Sequence, residues 1–144
     1  MSGVESESQN GRMTRRCQGW DYRQRAIYMI TLVQRVRGRP LLGRLEVAED
    51  TGGWIPLEAA RASGLRPETV TARLQPTALG AAILAHWKRI GAFTPEIRPL
   101  YCQLMPDHLH ALLEVTRPMA RPLGNAIGGF KTGCEKIYRK LALS

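Results

Sequence analysis

Apolar and polar positions recur along this chain with two periods, and each period predicts elements. Ile27, Tyr28, Ile30, Thr31, Val33 and Val36 form a run rich in β-formers, so a first strand is expected from Ile27 to Val36. Gly38-Arg39-Pro40 interrupts it, Leu41 to Val47 returns as a second strand, and Glu49-Asp50-Thr51-Gly52-Gly53 makes a turn. Residues 54–75 give a mixed signal. Leu57 to Arg61 are good helix formers, confined by Pro56 and Gly64 to a short helix at most, and Val70 to Leu74 is a candidate short strand. Leu79, Ile83, Trp87 and Ile90 then follow the helical period behind Gln75-Pro76-Thr77, with Gly91 as the expected stop.

The alternating period returns from Pro95 to Met105, and again from His108 to Val115 after a Pro106-Asp107 turn. A loop with two prolines leads to a last helix over Leu123 to Leu141. Its apolar stripe runs through Leu123, Ile127, Phe130, Cys134, Ile137 and Leu141. Gly124, Gly128, Gly129 and Gly133 weaken that helix and point to close backbone contact with a sheet or a ligand. The order strand, strand, helix, strand, strand, helix predicts an α+β fold: a ferredoxin-like antiparallel sheet with helices packed on one face. Residues 1–18 are polar and read as a flexible tail, leaving one domain over 19–144.

Charge narrows the choice of partner. The 144-residue chain carries a formal net charge of +9. Between positions 22 and 45 stand Arg23, Arg25, Arg35, Arg37, Arg39 and Arg44 with no acidic residue among them. A strongly basic small domain calls for a polyanion, and arginine grips phosphate with two parallel hydrogen bonds. Lys131, Lys136, Arg139 and Lys140 on the last helix either add to that surface or merely solvate the helix. Cys17, Cys102 and Cys134 are scattered and odd in number, which fits free thiols in a reducing cytoplasm rather than a disulfide framework. No apolar run is long enough for a membrane span.

Candidate chemistry is concentrated in Met105-Pro106-Asp107-His108-Leu109-His110. In a strand, residues i and i+2 project from one face, so His108 and His110 point the same way and Leu109 the other. Two neutral imidazoles side by side suit a divalent metal, completed by a Glu, Gln or Asp or by a substrate phosphate. Asp107 is read either as a neighbour of that metal or as the turn residue that starts the strand. His86, off the apolar stripe of its helix, is expected in solvent.

The run Tyr101-Cys102-Gln103-Leu104-Met105-Pro106-Asp107-His108-Leu109-His110 resembles the signature of the HUH single-tyrosine transposases, the insertion-sequence-200-like and REP-associated enzymes. Their hallmark is a Met-Pro-Asn/Asp-His-hydrophobic-His strand. The flanks agree in order. Trp20-Asp21-Tyr22-Arg23-Gln24 with Ile27 to Thr31, then Arg39 to Gly43, Leu79-Gly80 and Gly129-Phe130-Lys131-Thr132 are similar to that family's elements, over roughly residues 19–141.

The resemblance implies that His108 and His110 bind Mg²⁺ or Mn²⁺. It implies metal-dependent cleavage and strand transfer of single-stranded DNA near a hairpin, through a phosphotyrosine intermediate. Arg23, Arg25, Arg35, Arg37, Arg39 and Lys131 are the expected DNA contacts, and a homodimer is among the expected assemblies. Members of that family carry the nucleophilic tyrosine well downstream of the histidines. Here the only tyrosine after them is Tyr138, so the chain reads as shortened at its C-terminal end, with Tyr138 as either the substitute nucleophile or a packing residue. Tyr22, Tyr28 and Tyr101 are expected as scaffold or DNA-stacking residues. Two other functions stay open: a non-catalytic DNA-binding remnant, and a metal-dependent nuclease that uses water.

Overall fold

A computed structural model describes residues 17–35, 38–49, 52–64, 66 and 70–143. Most of the polar tail, together with Arg37, lies outside the described residues. The chain order is β1 (Ala26–Val33), β2 (Gly43–Glu49), β3 (Ile55–Pro56), α1 (Leu57–Ala62), β4 (Val70–Pro76), α2 (Ala78–Lys88), α3 (Ile90–Phe93), β5 (Ile97–Leu104), β6 (His108–Val115) and α4 (Leu123–Ala142). The class is α+β with antiparallel pairing, as the alternation of periods implied. In place of one sheet, the described strands form two sheets of three, ordered β1-β6-β5 and β3-β2-β4.

The first sheet carries the core on one face only. Leu109, Ala111, Leu113 and Val115 of β6 point inward at every second position and are almost fully buried. They meet Ile83 and Trp87 of α2, Ile90 of α3, and Leu123, Ile127 and Phe130 of α4. A bulge between Pro99 and Tyr101 lets both ends of β5 serve that core. Ile97 turns inward on one side of it and Leu104 on the other, while Tyr101 and Gln103 stay on the outer face. Proline is tolerated there because β5 is an edge strand and the bulge already breaks the ladder.

The second sheet is held by a charge cluster. Glu46 is buried between Arg44 (3.0 Å) and Arg73 (2.9 Å), and Arg73 in turn lies 4.0 Å over the Trp54 ring. Hydrogen bonds first from Arg44 and then from Arg73 hold the Glu46 carboxyl below its usual range. Arg44 is thus committed within the protein.

Two expectations are corrected at the helices. Gly91 does not stop α2, which ends at Lys88. Gly91 sits in α3, where an added Cβ would lie 2.8 Å from the Ile97 carbonyl oxygen, so the glycine permits close approach to β5. His86 does not stand in solvent. Its ring stacks on Phe130 with centroids 4.9 Å apart, and its Nε2 is buried against Gly133. At Gly133 of α4 the missing Cβ makes room for that ring. Gly128 and Gly129 face open space. Gly128→Ala and Gly129→Ala are therefore expected to stabilise the fold by up to about 1 kcal/mol each, the helix-propensity gain without a clash. A urea melt checks this, and a lowered midpoint would show that their faces are occupied.

Candidate metal centre

The histidines stand where the alternation of β6 sends them, on the face of the first sheet opposite the helices. His108 is half-buried and His110 exposed. Their rings are nearly perpendicular (83°), with centroids 4.8 Å apart and the two Nε2 atoms 3.2 Å apart. The other nitrogen of each ring is held. His108 Nδ1 meets Asp107 Oδ1 at 2.7 Å, and His110 Nδ1 meets Thr31 Oγ1 at 2.9 Å. Thr31 is the register partner of His110 across β1 and β6.

The turn that carries Asp107 is tied from three sides. Gln34 N–H donates to the Asp107 carbonyl (3.0 Å), Leu42 N–H to the Pro106 carbonyl (2.9 Å), and Met105 N–H to the His108 carbonyl (2.8 Å). Leu42 is itself anchored to the start of α2, because Thr77 N–H donates to its carbonyl (3.1 Å). The Thr77 hydroxyl donates to the Leu41 carbonyl (2.6 Å) and accepts from Gly80 N–H (3.0 Å) as the cap of α2. The histidine pair therefore rests on main-chain hydrogen bonds from β1, the 41–42 segment and its own hairpin.

The donor set fits a divalent transition ion. The Nε2 atoms of His108 and His110, 3.2 Å apart, are close enough that both would hold one ion and supply it with two nitrogen donors. Nitrogen donors favour Mn²⁺ over Mg²⁺, which prefers oxygen. Among the described residues no group of three or more His, Cys, Asp or Glu side chains gathers to hold an ion. Gln103, the register partner of His110, has its amide engaged: Oε1 accepts from the Tyr101 hydroxyl (2.9 Å), and Nε2 donates to the Leu104 carbonyl (2.9 Å). The remaining positions of such a shell fall to water or substrate oxygens.

The tyrosines divide by face. Tyr138, exposed on α4, lines a groove of about 550 Å³ on the helix side, together with Leu32 and Leu109, both of which point away from the histidines. Val33, the register partner of His108 and on the histidine face of β1, also lines this groove. The Tyr28 hydroxyl donates to the Gln24 carbonyl and accepts from Trp20 Nε1, and the Tyr22 hydroxyl accepts from Cys17 N–H. Among the described residues, Tyr101 is the tyrosine on the histidine face. It is 56% exposed, and its hydroxyl is held over Gln103 beside His110.

The basic cluster is also divided. Arg23 is paired with Asp21 (3.0 Å) and, with exposed Arg25, lies at the start of β1, next to the Ala26↔Val115 end of the ladder. Arg35 and Arg39 lie past the Val33↔His108 end, and with Lys131 they line the groove. Cys134 also lines it, and burial pushes that thiol up to about 11, which keeps it protonated.

The residues missed from sequence are Thr31 and the outward role of Tyr101 with Gln103. The hairpin at Pro106-Asp107 carries the signal for the second. Once Leu104 faces Leu109, Gln103 must face His110 and Tyr101 must share that side. Thr31 had no such local signal, because its register with β6 spans 79 residues. No helix among the described residues is long and apolar enough to cross a membrane. No family model, no curated protein and no solved structure matches this chain.

Proposed function

We propose that this chain is a single-stranded DNA strand-transfer enzyme of the HUH single-tyrosine kind, acting on the open face of the β1-β6-β5 sheet. The carrying observation is the convergence of His108 and His110 Nε2 at 3.2 Å with each Nδ1 anchored. The likeness of the Met105 to His110 run to that family's hallmark agrees with it. A divalent ion held by the two imidazoles supplies positive charge to a phosphodiester oxygen.

The chain's own residues supply the rest. Ile27, Met29 and Tyr101 leave an uncovered apolar shelf beside the histidines, which accepts unstacked bases. Arg35 and Arg39, past the histidine end of β1, offer guanidinium groups to the backbone phosphates. Tyr101 is the nucleophile that the geometry favours. Its Oη forms a bond to phosphorus while the P–O3′ bond breaks. The phenol proton leaves to solvent, and the departing 3′ oxygen takes one up. The 5′ phosphate stays on the protein, so the bond is conserved for rejoining.

The test is capture of a 5′-labelled and a 3′-labelled single strand in Mn²⁺, read on a denaturing gel. The expected result is a covalent adduct in the intact chain and in Tyr138→Phe, and none in Tyr101→Phe. Adduct lost only in Tyr138→Phe moves the reaction to the helix side. Free ends without adduct make the protein a water-using nuclease, and binding without cleavage makes it a DNA-binding module.

A further inference from the structure

The hydrogen bonds around the histidines constrain their protons, and the constraint is different for each ring. The Asp107 carboxylate is an acceptor, so the 2.7 Å contact places a proton on His108 Nδ1, and a neutral ring then keeps a lone pair on Nε2. With both rings neutral, the 3.2 Å contact between the two Nε2 atoms puts the proton on His110 Nε2. His110 Nδ1 is thereby an acceptor, and Thr31 Oγ1 at 2.9 Å must donate to it. When His110 Nε2 ligates a cation, its proton has to leave that nitrogen. A hydroxyl, unlike a carboxylate or an amide hydrogen, serves either role after a simple rotation about its C–O bond.

We propose that Thr31 is the positioning residue of the metal centre. Its hydroxyl donates to His110 Nδ1 in the metal-free protein and accepts from it once His110 Nε2 is a ligand. Within the ring an N–H bond breaks at Nε2 and one forms at Nδ1, with solvent carrying the proton, so the imidazole keeps its orientation and its charge. Asp107 holds His108 in one tautomer throughout. The site thus pairs one fixed ligand with one that exchanges tautomers, and the exchange depends on a side chain from the neighbouring strand. This rests on the metal-centre reading above, because it assigns Thr31 its role in that site.

The experiment uses the full chain with ¹⁵N-labelled histidine and Zn²⁺ alone as a diamagnetic probe. Imidazole ¹⁵N shifts are expected to report Nδ1–H for His108 with and without Zn²⁺. For His110 they should report Nε2–H without it and Nδ1–H with it. Thr31→Val keeps β-branching and volume, so the strand is retained. It should weaken Zn²⁺ binding about 10- to 100-fold by calorimetry and mix the metal-free tautomers of His110, while Thr31→Ser restores both. Unchanged affinity in Thr31→Val, or a His110 tautomer that is the same in every state, overturns the proposal. If the unaltered chain binds neither Zn²⁺ nor Mn²⁺, the metal-centre reading fails. The metal-free spectra then decide the role of Thr31 by themselves: a single His110 tautomer that survives in Thr31→Val removes it.

Discussion

Gly80→Ala is expected to lower the stability of this fold by about 2 kcal/mol net, a strain cost of about 3 kcal/mol less a helix-propensity gain of about 1 kcal/mol from alanine itself. A Cβ at position 80 would lie 1.8 Å from the Leu42 carbonyl oxygen and 2.9 Å from Leu104 Cδ2. The first of these is main chain, so it cannot swing aside as a side-chain tip does. Relief requires α2 and the 41–42 segment to separate, and that breaks what joins them: the Thr77 N–H bond to Leu42 and the Thr77 hydroxyl bond to Leu41. The strain does not stay local, because Leu42 N–H also holds the Pro106 carbonyl in the turn before the histidines. A net loss of about 2 kcal/mol corresponds to a melting point lower by roughly 5–10 °C in a domain of this size. A urea midpoint equal to that of the unaltered chain would show that α2 and Leu42 are not in contact.

Much of this architecture is legible along the chain, for a physical reason that also marks where legibility ends. β6 announces itself because it is buried on one face only, so His108, Leu109, His110 and Ala111 alternate with its surroundings. The inward stripe of α4 is readable to Phe130 for the same reason. Beyond it Cys134 still packs against the core, but the pattern outlasts the packing, and Tyr138 and Leu141 stand exposed. Apolarity marks what a helix offers, not whether anything takes it. The second sheet was hidden because its contacts are polar: Glu46, Arg44 and Arg73 read as ordinary surface charges until the pairing of β2 with β4 sets them side by side. His86 was misplaced because its neighbour across the helix pair, Gly133, has no side chain to advertise a contact.

The candidate site divides along the same line. The pair of histidines is a matter of period, and a strand of period two is enough to bring them to one face. Their geometry is a matter of register. The Nδ1 partners come from the turn residue Asp107 next in sequence and from Thr31 on a strand 79 positions away. The same distinction separates the tyrosines. Tyr138 is suggested by its order in the chain, whereas Tyr101 is favoured by the face on which the hairpin register sets it.

His108→Ala and His110→Ala are each expected to reduce Mn²⁺ affinity by at least about 100-fold, and the double variant to abolish binding, because each change removes one of the two directed nitrogen donors. The fold itself should be indifferent. His110 is exposed, His108 is half-buried, and neither contributes to the core. Stability therefore reads out the metal independently of DNA chemistry. At a free Mn²⁺ concentration of 100 times its dissociation constant, the unaltered chain should gain about 2.7 kcal/mol, while the double variant should melt at the same temperature with and without the ion. Asp107→Ala should fall between them, because His108 keeps its Nε2 but loses the carboxylate that orients the ring. A double variant that Mn²⁺ stabilises as much as the unaltered chain would place the ion elsewhere, and the convergence of the two Nε2 atoms would then be a hydrogen bond within the sheet and no more.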